Sequence, residues 1–161
     1  MKKRGFTLIE LLAVIVILAI IALIATPMIM GVIDEVRKKA AESSANNYTQ
    51  IVEDSPLYDS LLQTGSDEGR STGVYTVKDL EGVKMRGEAP TNGWVAIEDG
   101  IVVAACLKFN SYNKWVAYDT KNHAQAKLSE EVKLAEQGTT SDAEYVKAAK
   151  EALNNKLNPS A

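Results

Sequence analysis

Lys3-Arg4-Gly5-Phe6-Thr7-Leu8-Ile9-Glu10-Leu11-Leu12 leads straight into a stretch of the chain that carries no charge. From Leu11 to Ile33 that uncharged run is 23 residues long. Wound as a helix at ~1.5 Å per residue it spans roughly 34 Å, against about 30 Å for a bilayer core. It is therefore long enough to cross a membrane with some tilt. Lys2, Lys3 and Arg4 precede it. Cations on that side orient the segment with its N-terminus in the cytoplasm and everything after Ile33 outside.

A basic start and an apolar stretch also describe a secretory signal peptide, but three features disagree. The run far exceeds the ~7–15 apolar residues of such a peptide. No small-x-small cleavage site closes it, since Ala25-Thr26-Pro27 is followed by more apolar sequence. Finally, Gly5 to Glu10 separates the cations from the run, and a plain anchor has no use for a carboxylate there.

Residues Lys3 to Leu12 resemble the processing motif of type IV prepilins and pseudopilins. The resemblance covers roughly residues 1–55. It implies that a membrane-embedded aspartic peptidase cuts between Gly5 and Phe6 and then N-methylates Phe6. It also implies that Glu10 of an incoming subunit pairs with the Phe6 amine of one already in the fibre. The residues suit these roles. Gly5 has no side chain, so a peptidase can approach the backbone closely. An ionised Glu10 in an apolar helix is expensive without a partner. A buried carboxylate seeking a cation gives docking its direction and register. The plainer alternative for Glu10 is a helix-start acid favoured by the macrodipole. Pro27 removes one helical hydrogen bond and clashes with the carbonyl of Leu23. With Gly31 one turn on, it marks a place where the helix kinks or melts, or else is a tolerated membrane-helix proline.

Beyond the membrane the helix is expected to continue. Ile33, Val36, Ala40, Ser44, Tyr48 and Ile51 step by three or four residues along one face. Asp34 and Lys38 add an i,i+4 pair. Ser55-Pro56 stops the pattern, because the residue before proline disfavours helix. One helix is thus predicted over 6–54, apolar all round in its first half and amphipathic in its second.

The rest of the chain reads as a head. Leu57–Leu62 suggests a short helical turn, and Thr64–Gly73 a glycine-rich loop. Acids in that loop resemble the calcium loops of some pseudopilins but lack regular ligand spacing. Trp94–Glu98, Asp99-Gly100 and Ile101–Phe109 predict a hairpin with a two-residue turn. A third strand is predicted at Lys114–Tyr118, with weaker candidates at Gly73–Val77 and Glu81–Met85. Ser141-Asp142-Ala143-Glu144 reads as a capping box. It opens a helix with Val146, Ala149, Leu153 and Leu157 on one stripe, stopped by Asn158-Pro159. A shorter helix is predicted over Ser129–Gln137.

The expected fold is α+β: a long N-terminal helix on an antiparallel sheet of about three or four strands, with a C-terminal helical tail. Its divisions are a leader, 1–5, removed on maturation; a transmembrane and filament-core helix, 6–33; an amphipathic stem, 34–54; and an extracytoplasmic head, 55–161.

Composition excludes several classes of function. Of 18 basic residues three precede the apolar run, while 21 are acidic, so the head is no polycationic surface for nucleic acid. Cys106 is the only cysteine, so the head has no internal disulfide, in keeping with a Gram-positive source. It reads as a small buried apolar residue. His123, the only histidine, reads as a loop residue. One His and one Cys fall short of zinc ligation, and no nucleophile elbow or phosphate loop is present. The sequence therefore reads as a non-enzyme without cofactor or metal. The resemblance implies as partners identical pilin subunits, the prepilin peptidase/methyltransferase, the pilus assembly machinery, minor pilins and, before assembly, the membrane. It implies a single-pass precursor in the cytoplasmic membrane and then an extracellular pilus. The alternative is a minor pilin or pseudopilin whose head binds a surface, DNA or another subunit.

Overall fold

The computed structural model describes residues 6–54, 72–80, 85–135 and 141–159. The chain divides into two compact units, Met1–Val36 and Arg37–Ala161.

Helix α1 runs over Leu8–Asp54, close to the span expected. In the first unit its large apolar side chains are exposed all round, Leu8, Leu12, Ile17, Leu23 and Met30 among them. It is the one helix among the described residues long and apolar enough to cross a membrane.

The second unit has the architecture α+β in three layers. Five strands follow α1: β1 Gly73–Thr76, β2 Asn92–Glu98, β3 Ile101–Lys108, β4 Trp115–Asp119 and β5 His123–Leu128. They form an antiparallel meander in the order β1-β2-β3-β4-β5. Helix α2, Asp142–Leu157, closes the fold. Alternation along the strands divides the core in two. Val95, Ile97, Ala105, Leu107 and Val116 face the C-terminal part of α1, with Ala41, Ala45, Tyr48 and Val52. Trp94, Ala96, Ala104, Cys106 and Ala117 face α2, with Val146, Ala149 and Leu153. Both faces of the sheet are therefore covered.

The β2–β3 turn is of the kind expected. Asp99 (φ 52°) and Gly100 (φ 79°) both lie in the left-handed region, as a twist-matched two-residue hairpin requires. The α2 start is also as expected, with Ser141 Oγ accepting from the Glu144 N–H. Gly93 (φ +126°) leaves no room for a side chain, since a Cβ there would lie 2.0 Å from the Cys106 carbonyl oxygen.

Four expectations need correction. The sheet has five strands, not three or four, and β5 was not foreseen. Its sequence, His-Ala-Gln-Ala-Lys-Leu, has no β-branched residue. It is fixed instead by pairing with β4 and by α1, as described below. Residues 129–135 form no helix. The Val132 carbonyl accepts from the Trp94 indole at 2.7 Å, tying that segment across the α2 face of the sheet. His123 is not in a loop but opens β5, exposed and with φ 56°. The buried stripe of the stem is Ala41, Ala45, Tyr48, Thr49 and Val52, so only Tyr48 was placed correctly. Small alanines let the helix lie close to the sheet, and fit rather than bulk selected the face. The expected helical turn at Leu57–Leu62, Glu81–Lys84 and nearly all of the glycine-rich loop lie outside the described residues.

Candidate functional site

The N-terminal site is built on the first turn of α1. Phe6 stands before the helix, 92% exposed. The Thr7 carbonyl accepts the first helical bond, from the Leu11 N–H at 3.2 Å, which makes Thr7 the N-cap. Glu10 lies three residues on, and the two side chains satisfy each other's backbone. The Glu10 N–H donates to Thr7 Oγ1 at 3.3 Å. In return, the Thr7 N–H and hydroxyl both donate to Glu10 Oε2, each at 2.8 Å. Thr7-Leu8-Ile9-Glu10 is thus a capping box, with the carboxylate held at the helix start beside Phe6. The four-residue spacing was in the sequence, but only Glu10 was singled out there; Thr7 was missed. Gly5 lies outside the described residues.

The rest of the apolar segment has a second local device. α1 continues through Pro27 and Gly31 without a break. The Thr26 hydroxyl donates to the Ala22 carbonyl at 2.7 Å, a side-chain bond to the backbone one turn earlier. Such back-bonding slightly destabilises and often bends a helix. Gly31 has open space where a Cβ would stand, so packing within the chain does not demand a glycine there.

In the second unit, the stem holds the sheet through polar side chains as well as apolar ones. Glu42 Oε1 accepts from the Ala126 N–H at 2.9 Å, and Asn46 Oδ1 from the Ala124 N–H at 3.0 Å. Both donors belong to β5, an edge strand with a row of backbone groups to satisfy. Glu53 Oε1 accepts from the Val102 N–H at 2.8 Å, next to the bulge where β2 and β3 shift register. These side chains, four and seven residues apart on α1, lock the helix to the sheet. Sequence periodicity could not show them, because it ranks faces by apolarity alone.

The single cysteine and the single histidine lie in different surroundings. Cys106 is fully buried on the α2 side, and burial pushes its thiol up to about 12, far from a reactive thiolate. His123 is exposed, its ring 6.2 Å from that of Tyr118. Among the described residues no cluster of three or more His, Cys, Asp or Glu could hold a metal ion.

Neither the curated proteins nor the solved structures gave a match to this chain. Residues 1–26 match the family model described as the prokaryotic N-terminal methylation motif. That span contains Gly5, Phe6, the Thr7–Glu10 box and the apolar helix as far as Thr26, so the chain carries a prokaryotic N-terminal methylation motif at its start.

Proposed function

We propose that this protein is a structural subunit of a type IV pilus, cleaved after Gly5, N-methylated at Phe6 and polymerised through its N-terminal helix. The observation that carries the reading is the methylation motif fused to a helix exposed and apolar all round. Fully covering one Leu or Ile side chain stabilises by about 1.5–3 kcal/mol, so such a helix demands a covering. Lipid supplies it in the precursor, a single-pass protein with its N-terminus inside, and the same segments of neighbouring subunits supply it in the fibre.

Glu10 sets the register. In the lone subunit Thr7 satisfies its carboxylate. During assembly the carboxylate meets the amine of Phe6 on a neighbour, a charge pair that exists only after cleavage. Pro27 and Gly31 let the helix open locally as subunits pack. Residues 1–5 are the discarded leader, 6–33 the membrane and filament-core helix, 34–54 the stem and 55–161 the displayed head. The peptidase/methyltransferase, the pilus assembly machinery, minor pilins and further copies of this chain are its partners.

The reading is tested by Gly5→Val, whose Cβ blocks close approach to the scissile bond. The expected outcome is an uncut precursor retained in the membrane. A normally shortened product would overturn the cleavage site.

A further inference from the structure

Asn92-Gly93 is the one Asn-Gly pair in the sequence. Asn92 is exposed and opens β2. The Gly93 N–H donates to Asn92 Oδ1 at 2.8 Å, so the main-chain nitrogen lies beside the carboxamide of the preceding side chain. That contact already brings the Gly93 nitrogen and the Asn92 carboxamide together in the folded state. Glycine at 93 is dictated by the close approach to the Cys106 carbonyl. Its lack of a side chain also removes the steric shield that usually protects an asparagine amide.

We propose that Asn92 is a self-modification site, deamidated through a succinimide closed by the Gly93 nitrogen. The nitrogen bonds to Cγ of Asn92, and the Cγ–Nδ2 bond breaks. The proton lost from Gly93 leaves with Nδ2 as ammonia. Water then opens the ring on either side, giving aspartate or its isoaspartyl isomer. No oxidant, reductant or enzyme is needed, so the step does not depend on whether the subunit is in a membrane or a filament.

The change has a structural consequence. Asn92 stands opposite Lys108 in the β2–β3 ladder. The Lys108 ammonium holds the next turn by donating to the carbonyls of Tyr112, at 2.9 Å, and of Asn113. A carboxylate at position 92 offers that ammonium a rival partner across the strands. The isoaspartyl form also lengthens the main chain by one carbon at the tight Gly93 contact.

The test uses the full-length mature protein in detergent, incubated at mildly alkaline pH and sampled over days. Trypsin releases residues 87–108, a peptide with Asn92 as its sole asparagine, so amide loss there is read by mass without ambiguity. The expected result is loss of most of the Asn92 amide while Asn110 and Asn122, in exposed turns, remain largely intact. Both aspartyl and isoaspartyl products are expected, and Asn92→Gln should abolish the conversion while leaving the fold unchanged. Three results would overturn the proposal. Asn92 could outlast Asn110 and Asn122, it could convert only after denaturation, or it could yield aspartate alone.

Discussion

Glu10 has one partner in the lone subunit, Thr7, and a second in the proposed filament, the Phe6 amine of a neighbour. As the acid of a capping box it contributes only an ordinary, solvent-screened helix-start term. In the proposed filament the larger role is the counter-charge to a neighbour's Phe6 amine, because a charge left unpaired in a buried core is strongly destabilising. Glu10→Leu is also more membrane-compatible than the parent, so a mere anchor tolerates it. In a strain lacking the wild-type chain, Glu10→Leu is therefore expected to give cleaved, membrane-retained protein and few or no filaments. Filament yield in the sheared fraction measures this, and a normal yield would remove the pairing mechanism. Another residue invites a stability test. The Tyr48 hydroxyl is buried with no hydrogen-bond partner among the described residues, and burial pushes its ionisation up to about 12. Tyr48→Phe removes an unsatisfied polar group, so it is expected to be neutral or to stabilise by about 1 kcal/mol in thermal melts. Single residues were legible mainly where a motif gives them a role, as for Phe6 and Glu10. Thr7 lies in the same motif without such a role, and Glu42 and Asn46 lie outside it.

Among the elements, legibility followed the strength of local signals. The helix over 8–54, the Asp99-Gly100 hairpin and the capped α2 were all evident from periodicity and turn chemistry. β5 was not, because its strand character comes from partners distant in sequence. Glu42→Ala leaves the Ala126 N–H without its acceptor and is expected to cost about 1–3 kcal/mol, with the loss concentrated at β5 in amide exchange. The β4–β5 turn gives a pH dependence of known sign. Desolvation raises the Asp119 carboxyl, but donors outweigh it: the Asn122 side chain and the backbone N–H groups of Asn122 and Lys121 hold it below its ordinary value. A carboxyl depressed in the folded state stabilises above its unfolded value, and that contribution is lost as pH falls through the folded one. Asp119→Asn is therefore expected to be less stable than the parent near neutrality. Its deficit should shrink on acidification, which paired melts along a pH series will show.

At the scale of the molecule, the layered unit from Arg37 onward has a core on both faces of its sheet. A soluble fragment starting near Asp34 is expected to be monomeric and to unfold cooperatively. The overall class, a long helix followed by an antiparallel sheet and a terminal helix, could be read from the chain before its structure. The three-layer arrangement could not, because it depends on which strand residues face α1 and which face α2, and periodicity of two leaves that choice open.

The proposed function requires that this chain be matured at Phe6 and built into a surface filament. Intact-mass analysis of sheared filaments from the native host tests it most directly, since one spectrum reports processing, methylation and abundance. The expected species begins at N-methylated Phe6, lacks residues 1–5 and dominates the fraction. A filament fraction without this chain, or a chain recovered only with Met1–Gly5 still attached, would rule out that role.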